Sequence, residues 1–245
     1  MITRKGLHGQ LTLVAALACF AGFSGTRPQD TGGGNGGTPT VIAERLANSA
    51  TVLRQIVSGD KGLPVSILDQ ADCVLVFPSV KKLAIGIGGS YGRGVLVCRT
   101  GSKMDSKWGA PAMYKLDQGS IGVQLGSTST DFVLVVMNKI GADQILNGKT
   151  KLGANAAAAA GPTGAQARGY NAASMHVDVL TFSRTKGLFA GVALEGASLE
   201  PDDDANMALY GKTVSARDVV ERGQPVTRDA NSLVDLLDKI SPVRK

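Results

Sequence analysis

Residues 131–137 read DFVLVVM, and this stretch decides the fold class. Side chains alternate across a strand, so a strand with one wet face carries apolar residues only at every second position. Here Phe132, Leu134 and Val136 fall on one face and Val133, Val135 and Met137 on the other, so the strand is expected to be covered on both sides. Strand-like segments continue outward from it. Residues 73–77, 83–90, 94–99, 112–116 and 120–125 precede it; residues 175–183 and 187–195 follow as a hairpin turned by Arg184, Thr185, Lys186 and Gly187. Cys73 and Cys98 each lie within such a run, and a disulfide between them or two buried free thiols are both compatible with the sequence. Residues 153–169, GANAAAAAGPTGAQARG, are expected to form a small-residue strand packed under other backbone; the alternative is a loop that closely approaches a ligand or membrane.

Helical periodicity brackets this β-rich centre. Ile42, Leu46, Ala50, Leu53 and Ile56 recur at spacings of three and four, which predicts an amphipathic helix over 41–56 ended by Gly59. Pro64 opens a short helical segment over 65–71. Near the C-terminus, Ser215 and Ser232 stand three residues before Asp218 and Asp235, resembling capping boxes, and Leu233, Leu236, Leu237 and Ile240 form a helical stripe. No linker interrupts this region, so residues 41–245 read as one domain.

The 245 residues are 43% hydrophobic and 19% charged, too apolar for disorder. Glycine, at 32 residues, is nearly twice the usual ~7%, which argues for β-structure with close backbone approaches. Three cysteines are far too few for a disulfide scaffold. The net charge is +6, or +4 once Arg4 and Lys5 leave with a processed leader, and basic residues alternate with acidic ones. A clustered nucleic-acid footprint is therefore missing, and no nucleic-acid partner is expected.

The leader reading rests on residues 1–21, where Arg4, Lys5 and His8 precede an apolar stretch from Leu11 to Ala21, the shape of a secretory signal and too short to span a bilayer. Ala16-Leu17-Ala18 before Cys19 resembles a bacterial lipobox, although such boxes carry Leu where Ala16 stands and a small residue where Leu17 stands. Cys19 is accordingly the expected lipidation site, with plain secretion as the alternative. Residues 22–40, with glycines on both sides of Asn35, read as a flexible linker between anchor and domain.

Few residues point to catalysis. His176 lies two positions from Asp178 and shares its strand face, but no Gly-x-Ser-x-Gly elbow accompanies them, so no enzyme is expected. Two cysteines 25 apart and one histidine do not make zinc spacing, so neither metal nor cofactor is expected. Asp202-Asp203-Asp204 lacks the alternation of a calcium loop and fits the start of the helix-like residues 205–209. The glycines from Gly86 to Gly94 run into further strand rather than a helix, unlike a phosphate loop, and fit bending or close packing. The remaining candidates are basic: Lys81, Lys82, Arg93, Arg99, Lys103 and Lys107, followed by Trp108. Lysine with tryptophan suits a membrane interface, where ammonium groups meet phosphates and the indole sits among headgroups. A solvated charged loop is the other reading.

In order along the chain, residues 67–78 (ILDQADCVLVFP), Val80-Lys81-Lys82, the glycine run to Gly94, Lys107-Trp108-Gly109-Ala110-Pro111, residues 120–126 (SIGVQLG), residues 131–137, Ala159-Ala160-Gly161-Pro162, residues 187–196 (GLFAGVALEG), Asn206 and Tyr210-Gly211 resemble the SYLF domain family. The resemblance implies an α+β domain with a curved, Gly-rich, mainly antiparallel sheet or partly closed barrel, flanked by N- and C-terminal helices. It also implies a non-enzymatic role in binding membrane lipid. Eukaryotic relatives bind phosphoinositides and some fungal ones bundle actin, partly through N-terminal segments whose place is taken here by the leader and linker. The expectation is an exported, lipid-anchored protein at the periplasmic face of the outer membrane, otherwise periplasmic or secreted. It would bind anionic phospholipid through Lys81, Lys82, Arg93, Lys103, Lys107 and Trp108. A structural or protein-interaction module of the envelope is the competing class.

Overall fold

Residues 73–77, CVLVF, are apolar on both alternating faces just as residues 132–137 are, and the two runs lie side by side as antiparallel partners, Cys73 opposite Val136 and Phe77 opposite Phe132. The computed structural model describes residues 38–59, 62–85, 87–121, 126–162, 177–185, 188–191 and 194–244. Residues 1–37, with the leader, Cys19 and most of the linker, lie outside the described residues, as do His176, Lys186 and Gly187.

The chain begins with helix α1 (Pro39–Ser58) and the short α2 (Val65–Leu68). Four long strands follow: β1 (Cys73–Ile85), β2 (Ile87–Cys98), β3 (Ala112–Ile121) and β4 (Gly126–Val136). Helix α3 (Lys139–Leu146) then leads into β5 (Thr150–Lys151), β6 (Ala158–Ala160), β7 (Val179–Thr185), β8 (Leu188–Gly191) and β9 (Ser198–Pro201). Helices α4 (Asp203–Tyr210), α5 (Ala216–Glu221) and α6 (Asn231–Ile240) close the fold. The strands form one sheet in the order β5-β9-β3-β2-β1-β4-β7-β6, with β8 also paired to β7. All pairings are antiparallel except β6 with β7. The architecture is thus α+β, with a curled, half-barrel sheet and flanking helices.

Both faces of the sheet are dry over residues 73–77, 95–98, 112–114 and 133–136. Val74, Val76, Val95, Val97, Val133 and Val135 point into a core closed by α1, α2 and α6, whose Leu46, Leu53, Ile67, Leu233 and Leu237 are buried. Leu75, Phe77, Leu96, Tyr114, Leu134 and Leu199 face the opposite core, closed by Ile145 of α3 and Val219 of α5. Each such side chain contributes about 1.5–3 kcal/mol on burial. Pro39 stands in the first turn of α1 and Gly59 ends it, as the periodicity foretold.

Several expectations are corrected. The expected strand 83–90 is the end of one hairpin, shared between β1 and β2, with Ile85 opposite Ile87. Residues 112–116 belong to a single β3 that runs on to Ile121. Ser215 caps α5 by accepting from the Asp218 N–H, but Ser232 caps nothing, because Asn231 already starts α6. Among the described residues of the small-residue stretch, strand forms only at β6; just beyond it, a Cβ on Gly161 would lie 2.2 Å from the Phe182 ring. Of the two alternatives open for Cys73 and Cys98, the structure shows the disulfide, between cross-strand partners.

Candidate functional site

The polar geometry of the fold centres on Asp202. It directly precedes α4, yet its side chain does not cap that helix. The carboxylate is instead buried, with 1% of the side chain exposed, and Oδ2 accepts from Arg93 Nη1 at 2.6 Å and Arg45 Nη1 at 3.3 Å. Two guanidiniums thus meet on one buried carboxylate. Arg45 is itself buried on α1, and desolvation pushes its pKa down against the pull of Asp202. Arg93, on β2, is more exposed; burial lowers its pKa, but Asp202 and Tyr91 outweigh that and hold it raised. The Arg93 guanidinium lies 5.7 Å from the Tyr91 ring centroid, within cation–π range.

Above this triad opens a cleft of about 470 Å³, walled by Val41, Glu44, Arg45 and Asn48 of α1 and by Pro78, Ser79, Lys81, Tyr91, Gly92 and Arg93 of the β1–β2 hairpin. That volume is in the range of small-molecule and headgroup-sized sites. Its shape originates in a β-bulge. Pro78 has no N–H for the ladder, and the pairing of β1 with both neighbours shifts register around it. Ser79 takes a left-handed φ of 53°, and its N–H donates to Asp131 Oδ1 at 2.9 Å. Asp131 Oδ2 in turn pairs with Arg184 of β7. Opposite the bulge stands Gly92, where a Cβ would lie 2.6 Å from Val80 Cγ2, so only glycine lets the two strands close there.

The expected headgroup residues do not form one patch. Lys81 and Arg93 meet in the cleft, and Lys82 follows on β1, its side chain outside the described residues. Lys103 and Lys107 are exposed on the loop after β2, at the other end of the sheet. Lys81 is opposite Tyr91, and β2 runs seven residues further to Cys98, about 23 Å at ~3.3 Å per residue. Trp108 is corrected outright. It is 3% exposed, its Nε1–H donates to the Ser241 carbonyl at 2.9 Å, and the Arg99 guanidinium stacks 4.4 Å from its ring. An indole sealed inside the core cannot rest among headgroups. Arg99 is likewise structural, donating to the carbonyls of Ala71, Ser106, Ser241 and Pro242 and to the Ser241 hydroxyl.

Asp202 and Asn206 went unrecognised as buried polar residues. Asn206 Oδ1 accepts from the Met113 N–H at 2.8 Å and its Nδ2 donates to the Met113 carbonyl, so a side chain extends the ladder at the point where the β3–β9 pairing ends. The adjacent aspartates at 202–204 are the visible signal, and in sequence they read as a helix terminus, which Asp203 and Asp204 do occupy. Among the described residues no group of three or more His, Cys, Asp or Glu is placed to hold a metal, and no helix is long and apolar enough to cross a membrane.

A family model described as "Las17-binding protein actin regulator", named Ysc84, matches residues 117–240. The chain belongs to the Ysc84 family. This bears out the SYLF resemblance, and the family is one of binding proteins rather than enzymes. The chain is 33% identical over 192 residues to an SH3 domain-containing protein of Schizosaccharomyces pombe, covering 76% of this chain and 44% of that one. It is 28% identical over 213 residues to protein YSC84 of Saccharomyces cerevisiae, covering 83% and 45%, and 26% identical over 214 residues to human SH3 domain-containing YSC84-like protein 1, covering 84% and 61%. The chain thus spans about half the length of the curated relatives it matches. Of the site residues, Asp131, Arg184 and Asp202 fall within the matched Ysc84 segment, while Arg45, Lys81 and Arg93 precede it.

Proposed function

We propose that this Ysc84-family chain is an exported, non-enzymatic envelope protein, anchored through lipidated Cys19, whose domain binds anionic phospholipid at the cleft between α1 and the β1–β2 hairpin. The observation that carries the reading is the cleft itself: an open, headgroup-sized concavity lined by the Arg93 guanidinium and by Lys81, whose charge is exposed. Each basic side chain near an anionic surface adds about 1 kcal/mol. Glu44 at the rim subtracts from that total, so binding is expected to be salt-sensitive and modest.

Two further observations support the reading. Val41 lines the cleft two residues into α1, so the chain enters the domain at the cleft mouth. The Cys73–Cys98 disulfide suits an oxidising compartment.

Co-sedimentation of residues 35–245, which keep the compact unit that starts at Asn35, with neutral and anionic vesicles at low and high salt tests the proposal. Binding to anionic vesicles alone, released by salt, is the expected result. The family description favours a second reading, a protein-interaction module without lipid affinity of its own. Equal absence of binding to both vesicle types would select it.

A further inference from the structure

The cleft has two unlike walls. On α1, Val41, Glu44, Arg45 and Asn48 lie three and four residues apart and so share the face that closes it. Arg45 is buried against Asp202, which leaves exposed Glu44 as the charge this wall presents to the opening. The helix offers Glu44 no cation of its own, because the positions three and four residues away are Thr40, Val41, Ala47 and Asn48. The hairpin wall is basic. Lys81 stands opposite Tyr91, and Arg93 follows two residues along β2, about 7 Å further. No ion pair among the described residues involves Glu44 or Lys81. A carboxylate and an ammonium thus stand on facing walls of one cleft without meeting.

Opposite charges held apart on two walls complement a molecule that bears both signs. We propose, resting on the phospholipid reading above, that the cleft selects a phosphoserine-type group: Lys81 and Arg93 donate to its phosphate and carboxylate, and Glu44 accepts from its primary ammonium. Such a group is anionic overall, as that reading requires, yet carries the one cation that Glu44 calls for. Arg93 commits Nη1 to Asp202, but a guanidinium has five N–H donors and this side chain is 29% exposed, so it can serve a ligand as well. A purely anionic headgroup such as phosphoglycerol meets the same donors and is opposed by Glu44, since like charges brought together are disfavoured. Discrimination between two headgroups of equal net charge therefore rests on one residue of α1. The same three groups occur on a lipid headgroup and on its soluble glycerophospho form, and the two sources are separable by experiment.

The test sediments residues 35–245, the compact unit that holds every described element, with phosphatidylcholine vesicles containing equal mole fractions of phosphatidylserine or phosphatidylglycerol. Phosphatidylserine should be preferred about three- to fivefold, the factor that one exposed charge pair supplies. Glu44→Gln should erase the preference by weakening binding to phosphatidylserine and strengthening binding to phosphatidylglycerol, a gain that a misfolded variant could not give. Soluble glycerophosphoserine should displace the protein from phosphatidylserine vesicles, and glycerophosphoglycerol should do so less. Equal binding to the two vesicle types, or a preference that survives in Glu44→Gln, would overturn the selectivity and leave the anionic-lipid reading standing. Calorimetric binding of glycerophosphoserine, lost in Glu44→Gln, with no sedimentation on either vesicle would keep the selectivity, assign it to a free ligand and overturn the lipid reading. Binding to neither vesicles nor glycerophosphoserine would overturn both.

Discussion

Asp202 joins three elements through one carboxylate: Arg45 from α1, Arg93 from β2 and its own place ahead of α4. Removing one partner of a buried pair leaves uncompensated charge, so Asp202→Ala is expected to cost about 3–5 kcal/mol, measured by urea unfolding. The cleft wall formed by Arg45 and Arg93 should loosen with it. Asp72 acts in the opposite sense. Burial pushes its carboxyl above the ordinary value, against the pull of Arg244. The native protein therefore holds that proton more tightly than the unfolded chain, and Asp72 lowers stability as pH rises through its folded-state titration. Below its ordinary value of 3.8 the group is protonated in both states and the penalty vanishes. Asp72→Asn should accordingly gain stability relative to wild type between acid and neutral pH, which denaturant titrations at the two pH values would read. Neither aspartate could be picked out from the sequence, because the partners of Asp202 lie 109 and 157 positions away and Arg244 lies 172 positions from Asp72.

Among the elements, α1 and the pair β1–β4 were legible because their apolar periods leave one solution: a single stripe for the helix and two dry faces for the strands. The course of β1 past Phe77 was not. Pro78 reads as a strand end, and only the bulge, held by the Ser79–Asp131 bond, carries the strand through to Ile85. The role of the glycines was legible in kind but not in place. A Cβ on Gly94 would lie 2.4 Å from both the Phe77 ring and the Val76 carbonyl oxygen, whereas one on Gly119 would meet nothing within 4 Å. Gly94→Ala is therefore expected to cost about 1–3 kcal/mol through forced separation of β1 and β2. Gly119→Ala should be neutral or slightly stabilising. Thermal melts of the two variants make the comparison. The Cys73–Cys98 disulfide closes a 25-residue separation between paired strands, and its removal by Cys73→Ala with Cys98→Ala should cost about 3 kcal/mol. Unfolding midpoints with and without reductant provide the check.

At the scale of the whole molecule, the sheet has two unlike ends. One carries the cleft, Lys81 and Tyr91; the other carries the disulfide, Lys103, Lys107 and the Arg99–Trp108 stack that ties down Ser241. Reading the basic residues by proximity in sequence merged these ends, and reading Trp108 by its lysine neighbour placed it in the interface. What decided against both was contact over long separation, since Ser241 lies 133 positions from Trp108. The ends are about 23 Å apart, well beyond a Debye length of ~8 Å, so their contributions to membrane attraction separate cleanly. Charge reversal at each end, Lys81→Glu against Lys103→Glu with Lys107→Glu, followed by co-sedimentation on anionic vesicles, is the most direct measurement of the central claim. The account predicts that Lys81→Glu weakens binding severalfold and that the double variant binds as wild type does. Loss of binding in the double variant with Lys81→Glu unaffected would contradict it, and would turn the opposite end of the sheet toward the membrane.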